Sequence, residues 1–213
     1  PEDHAVLEKK GFLLVDSGAT YMDGTTDITR TYPLGPLTED EKRFYTWTLQ
    51  SHIDLAKAVW LDYCECKMID TIAREPLWRH LINYRCGTGH SVSFVGNVHE
   101  GPHSLRGTNS VLMRPGMVIT DEPGVYETDL VGIRIENELV CVHKADNQYG
   151  TFLGFEPLMF VPIATSPILP GVLDKDEIAW LNDYHRQVFA KLAPHLNDEE
   201  RSWLAEKCAA IGC

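Results

Sequence analysis

Apolar and polar positions change period several times along this 213-residue chain. Residues 11–21 (GFLLVDSGATY) and 25–34 (TTDITRTYPL) are apolar and β-branched on either side of MDG, which predicts a strand pair. Helical spacing starts at Thr38 and runs to about residue 60, with Thr38 as N-cap and Glu41 completing a capping box. A second helix is predicted from Lys67, with Pro76 breaking and restarting it. Residues 117–127, 131–144 and 154–164 read as strands, and a glycine-rich stretch at 84–103 precedes them. Two helices, at about 174–192 and 198–211, close the chain. Two strands, two helices, several strands and then helices predict an α+β fold with a mainly antiparallel sheet.

Several of these apolar strands carry acids. Asp16 follows Phe12–Val15, Asp27 sits among threonines beside Ile28, Glu122 ends VITDE, and Glu136 lies inside GIRIENELV. A lone buried charge costs several kcal/mol, so each needs a partner, a metal or solvent. Opposite residues of an antiparallel pair share a face, and Asp16 faces Asp27 if the loop centres on Tyr21–Met22. A tight Asp23–Gly24 turn instead slides the two about 13 Å apart, at roughly 3.3 Å per residue. A shared site therefore calls for a wider loop or a bulge; the plain alternative is an exposed hairpin with solvated acids. Arg134 and Glu136, two residues apart, project from one side of their strand, where the arginine orients the carboxylate or simply neutralises it.

The stretch YRCGTGHSVSFVGNVHEGPH (84–103) adds four candidate ligands, Cys86, His90, His99 and His103. Together the acids and the glycine-flanked His90 make a hard set that suits Mn²⁺, Mg²⁺, Zn²⁺, Co²⁺ or Fe²⁺ without thiolate. Four carboxylates and one imidazole exceed the needs of one catalytic zinc but suit two ions about 3.5–4 Å apart, a pairing that serves amide or ester hydrolysis. A net charge of −12 argues against nucleic acid and gives no basic surface for a membrane. No apolar run approaches the roughly 20 residues of a membrane-spanning helix. Six cysteines without a CxxC pair read as free thiols of a reducing compartment. CGTGH lacks the third glycine and the lysine of a phosphate loop, and no G-x-S-x-G elbow occurs. A Cys86–His90 nucleophilic pair would leave the four carboxylates without a role. His52, His80, His185 and His195 read as surface or packing residues, and His103 as a solvent-facing turn residue with substrate contact as the alternative.

Taken together, DSGATYMDGTTDITRT, GTGHSVSFVGNVHEGP, TDEPGVYE and GIRIENELV resemble the pita-bread metallopeptidases, the family of methionine aminopeptidase, prolidase and Xaa-Pro aminopeptidase. The short loop between the two glutamates, FEPLMFVPI and WLNDYH resemble its eukaryotic cytosolic Xaa-Pro aminopeptidase branch, over essentially the whole chain. The resemblance implies a pita-bread fold, with a curved, mainly antiparallel sheet and flanking helices, as a single catalytic domain over residues 1–213. It also implies two divalent metal ions, manganese in this branch with cobalt or zinc as alternatives. Asp16 would chelate one ion, Asp27 and Glu136 would bridge both, and His90 and Glu122 would complete the second. Glu122 would also shuttle a proton, with a metal-bridged hydroxide attacking the scissile carbonyl. His99 would donate to the carbonyl oxygen as charge develops there, and Arg134 would steady the bridging carboxylates. The substrates would be peptides with proline second, losing their first residue, in the cytoplasm, and a homodimer is the family's habit.

This chain departs from the pattern at Cys86, where family members carry a histidine that lines the substrate pocket, and a thiol cannot mimic a protonated imidazole. A further substrate-contacting histidine of the family lies upstream, and His4 is out of register with it. The chain starts at Pro1 without methionine and lacks the family's N-terminal creatinase-like domains, so it reads as an excised piece, with that missing portion as a partner. The alternatives are a prolidase acting on Xaa-Pro dipeptides and a metal-binding but inactive module.

Overall fold

The computed structural model describes His4 and residues 6–212. The hairpin forms where the pattern places it: β1 (Phe12–Tyr21) and β2 (Gly24–Pro33) are joined by Met22 and Asp23 alone. Gly24 takes φ 145°, a backbone conformation that glycine adopts without strain. Helix α1 (Glu39–Ala56) starts at the expected capping box, with Glu41 N–H donating to Thr38 Oγ1 at 3.2 Å and Thr38 N–H to Glu41 Oε2 at 2.7 Å. It ends earlier than its spacing suggests. Val59–Leu61 instead forms β3, an edge strand that buries Trp60.

Helix α2 (Cys66–Trp78) runs through Pro76 without a break, contrary to expectation. Pro76 lies near the last turn, where the missing N–H costs one hydrogen bond, and Arg79 N–H still reaches the Glu75 carbonyl at 3.1 Å. The histidine-rich stretch forms β4 (Gly89–Ser91) and β5 (Glu100–Leu105), an irregular pair. Then follow β6 (Val118–Asp121), β7 (Gly124–Glu127), β8 (Val131–Arg134), β9 (Asn137–Asn147) and β10 (Gly150–Pro157). Every strand pair among the described residues is antiparallel, and β3–β10–β9–β6 form the largest sheet. Hairpins β1–β2 and β7–β8 extend its curl into a half-barrel, with Glu136 N–H bonded to the Thr29 carbonyl at 3.1 Å.

Beyond Pro157 the expected strand does not continue. Leu158 N–H still reaches the Glu138 carbonyl of β9 at 2.9 Å, but residues 159–164 run without sheet partners, and side chains take up their polar groups: Tyr184 Oη lies 3.1 Å from the Met159 and Val161 carbonyls, and His185 Nε2 accepts from Ile163 N–H at 3.1 Å. Those two side chains come from α3 (Lys175–Leu192), capped by Asp174; α4 (Asp198–Lys207), capped by Asn197, follows. No helix among the described residues is long and apolar enough to cross a membrane.

Two apolar clusters meet at α1. Tyr45, Leu49 and Ile53 pack with Ile133, Ile135 and Leu181, while Leu55 joins Trp60, Ile69, Ile119, Leu139 and Phe155 beneath the four-stranded sheet. Arg30 is buried between β2, β9 and α3. Its five N–H groups meet six acceptors: the carbonyls of Thr29 (2.9 Å), Val161 (2.7 Å), Pro162 (3.1 Å) and Glu136, Asn137 Oδ1 (2.8 Å) and the Tyr184 hydroxyl (3.0 Å). Lysine keeps the charge but offers three donors in another geometry. Arg30→Lys is therefore expected to cost roughly 2–4 kcal/mol from acceptors left unpaired. Urea unfolding measures it, and an unchanged midpoint would show that these bonds do not hold the fold.

Candidate metal centre

The hairpin register brings the first two acids together. Asp16 lies opposite Thr29, and Gly18 opposite Asp27, so neither register anticipated from the sequence is the one adopted. Asp16 and Asp27 are diagonal neighbours on one face, a spacing of about 7–8 Å between backbones that side chains bridge. The two-residue turn suffices, and the wider loop or bulge is not needed. Glu136, just before β9, completes a group: one oxygen each of Asp16, Asp27 and Glu136 lie within 4.8 Å of one another.

His90 owes its place to a glycine. A Cβ on Gly89 would sit 1.8 Å from the Thr120 carbonyl oxygen, so only glycine lets β4 lie this close to β6. His90 N–H then donates to Thr120 Oγ1 at 2.9 Å, and Thr120 Oγ1 donates to Glu122 Oε1 at 2.9 Å. On the ring, Nδ1 lies 3.1 Å from the Ser91 carbonyl, which places the proton there and turns Nε2 toward the acids. Nε2 lies 3.4 Å from Asp27 Oδ2 and 3.2 Å from Glu122 Oε1. All five candidate ligands line one cavity of about 590 Å³, with His99 and Arg134 at its wall.

Arg134 both neutralises and orients. It pairs with Asp16 Oδ2, donates through Nε to Thr29 Oγ1 at 2.9 Å and through Nη1 to Tyr126 Oη at 2.7 Å, and lies 3.8 Å from Glu122 and 3.9 Å from Glu136. Thr29, fully buried, donates in turn to Glu136 Oε2. Thr29, Thr120 and Tyr126 went unnoticed in the sequence. The signal for the two threonines was present, since each lies two residues from an acid on the same strand face.

The charges do not balance without cations. Burial first, and the Glu122 and Asp27 charges next, push the Glu136 carboxyl up to about 8. Burial alone would lower the His90 pKa, but the Asp27 and Glu122 carboxylates and the Ser91 carbonyl outweigh it and raise the imidazole to about 10. Glu136 Oε1 is buried with no hydrogen-bond partner. A buried carboxylate oxygen without a donor, among oxygen ligands and one imidazole, fits hard or borderline divalent cations.

The other three candidates part company. His99 is exposed at the cavity, its ring edge-on to His90 with centroids 4.1 Å apart. Cys86 Sγ contacts the Gly124 carbonyl at 3.8 Å and is not among the cavity's lining residues; partial burial and then the Glu122 charge raise its thiol pKa. His103 is no solvent-facing turn residue. It is buried on β5 with Nε2 2.8 Å from the Val118 carbonyl, and it lines a neighbouring cavity rather than the one holding the acids.

The fold is that of a metallopeptidase family. Residues 1–143 match metallopeptidase family M24 and residues 151–211 the C-terminal region of peptidase M24, and the chain belongs to this family. It is 41% identical over 217 residues to aminopeptidase P1 of Lotus japonicus, covering 99% of this chain and 33% of that protein. To aminopeptidase P2 of Arabidopsis thaliana it is 42% identical over 211 residues, covering 96% and 30%. The crystal structure of the X-prolyl aminopeptidase from Caenorhabditis elegans, described as a cytosolic enzyme with a di-nuclear active site, matches with a TM-score of 0.87 at 39% identity, covering 93% of this chain and 33% of that one. The prolidase from Pyrococcus furiosus matches with a TM-score of 0.60 at 28% identity, over 70% and 41%. The pita-bread fold expected from the sequence is the one observed. The chain spans about a third of the length of the curated relatives it matches.

Raised pKa values give the metal-free protein a definite pH response. The Glu136 carboxyl and the His90 imidazolium both favour the protonated fold. Their contribution is complete below their ordinary values and is lost as pH rises through about 8 for Glu136 and about 10 for His90. Ligands must shed these protons to bind metal, so manganese uptake at pH 7 is expected to release about two protons. Titration calorimetry in buffers of different ionisation enthalpy counts them, and zero release would contradict this charge state.

Proposed function

We propose that this chain is the catalytic part of a dinuclear, manganese-dependent Xaa-Pro aminopeptidase, which removes the first residue from peptides with proline second. The observation that carries the reading is the meeting of Asp16, Asp27 and Glu136 with the His90–Glu122 pair on one cavity wall. The likeness to proteins named aminopeptidase P supports the peptide class. Asp16 would hold one ion, His90 and Glu122 the other, with Asp27 and Glu136 between them; cobalt and zinc suit the same donors. Bound there, two divalent ions would acidify water and stabilise negative charge at the scissile carbonyl.

The chain's own residues do the rest. Glu122, half-buried beside His90, takes the proton of the attacking water and returns it to the departing proline nitrogen. His99, at the cavity mouth, donates to the carbonyl oxygen as its charge grows. Arg134 holds Asp16 and, with Thr29, Glu136, so the carboxylates keep their places when protons move.

Asp27→Asn is expected to lower manganese content and to cut release of arginine from Arg-Pro-Pro by more than about a hundredfold. His99→Ala should keep the metal and lose kcat by roughly 10²–10³. Metal analysis with chromatography of the products checks both. Full activity in Asp27→Asn, or no metal in the wild type, would sink the proposal, and cleavage of Gly-Pro alone would favour a prolidase.

A further inference from the structure

A buried polar chain that takes no direct part in the centre lies directly behind its two glutamates. Asp121 precedes Glu122, Asn137 follows Glu136, and the two face each other as the last rung of the β6–β9 ladder. Past that rung the ladder is interrupted, and it resumes in the same register at Gly124–Arg134, where β7 pairs with β8. Glu122 N–H is taken by the Thr88 carbonyl at 2.8 Å and Glu136 N–H by the Thr29 carbonyl at 3.1 Å. The two glutamates therefore sit in a gap between the Asp121–Asn137 rung on one side and the Gly124–Arg134 rung on the other.

Successive strand side chains alternate, so Asp121 and Asn137 point away from the cavity, and both are fully buried. His52 of α1, also fully buried, reaches between them. Its Nδ1 hydrogen-bonds the Asp121 carbonyl at 3.3 Å and makes an ion-pair contact with Asp121 Oδ2 at 3.0 Å, and its Nε2 lies 3.3 Å from Asn137 Nδ2. Asn137 Oδ1 is already engaged by Arg30 at 2.8 Å and by the Tyr184 hydroxyl at 3.1 Å, so its amide N–H faces His52. The network thus assigns the imidazole proton to Nδ1, directed at Asp121. Trp180 stands edge-on to the ring at 5.8 Å and confines it. Asn137 also serves Arg30 and Tyr184, so the network ties the backbone beside the glutamates to α1, β2 and α3.

We infer that His52 is a positioning residue for the metal centre: an α1 clamp across the final β6–β9 rung that fixes where Glu122 and Glu136 leave the sheet. The inference rests on the dinuclear reading above. His52→Gln keeps the reach to Asn137 but removes the donor facing Asp121. Asp121→Ala removes the carboxylate contact and leaves the backbone carbonyl, whereas Asp121→Asn keeps a side-chain acceptor there. Manganese calorimetry on the metal-free full chain is expected to show affinity falling 10- to 100-fold in His52→Gln and Asp121→Ala and staying near wild type in Asp121→Asn. In the two weakened variants kcat should fall with KM little changed. Thermal unfolding of the metal-free variants reports folding separately, and Asp121→Ala carries the test if His52→Gln does not fold. Wild-type manganese affinity in both, with only a lower unfolding midpoint, would overturn the clamp, as would equal losses in Asp121→Asn and Asp121→Ala. A wild type that takes up no manganese would instead overturn the dinuclear reading.

Discussion

Asp16, Asp27, Glu122 and Glu136 converge in one half-buried cleft, and their mutual repulsion shapes everything around them. Two ionised carboxylates at the 4.8 Å limit of the Asp16–Asp27–Glu136 group repel by about 3 kcal/mol at the effective dielectric of a protein surface. Without cations the cleft responds by holding protons on Glu136 and His90 and by pressing the Arg134 guanidinium against Asp16. Divalent ions would relieve the same repulsion more completely, and the protons are the quantity they displace.

Such a cleft needs a frame that does not relax away from it. Each acid leaves the sheet at a point held from behind: Asp27 and Thr29 by the β1–β2 ladder, Glu122 by Thr120 and Asp121, Glu136 by Asn137 and by the Arg30 bond to its carbonyl. Arg30, Asn137, Tyr184 and His52 form one continuous buried network linking β2, β9, α3 and α1. Helix α1 belongs to both apolar clusters, so packing of the core and placement of the glutamates share a single element.

Local features were legible wherever a few neighbouring residues decide the outcome. Thr38–Glu41 states the start of α1, and Asp174 that of α3, because capping is a contact over three residues. The four acids stood out because a charge on an apolar strand needs an explanation, and His90 because glycine flanks it. Misreadings came where distant partners decide. Pro76 stays inside α2 because it falls where few bonds are left to lose, and residues 159–164 forgo a strand because Tyr184 and His185 occupy their polar groups. His103 is buried because its strand faces the interior, which no feature near Gly101–Pro102 announces.

The sequence by itself determined the class of elements and the family, and it singled out the four acids and His90, since residue types and their order are written along the chain. Only the tertiary structure decided that Asp16 and Asp27 lie diagonally rather than opposite, and that Cys86 and His103 stand outside the cavity that holds His90. It alone revealed Thr29, Arg30 and His52 behind the acids. The reason is physical: register, burial and hydrogen-bond partners are set by contacts between residues 107 to 154 positions apart, such as Thr29 with Glu136 and Arg30 with Tyr184. Their free energy exists only once the sheet has curled.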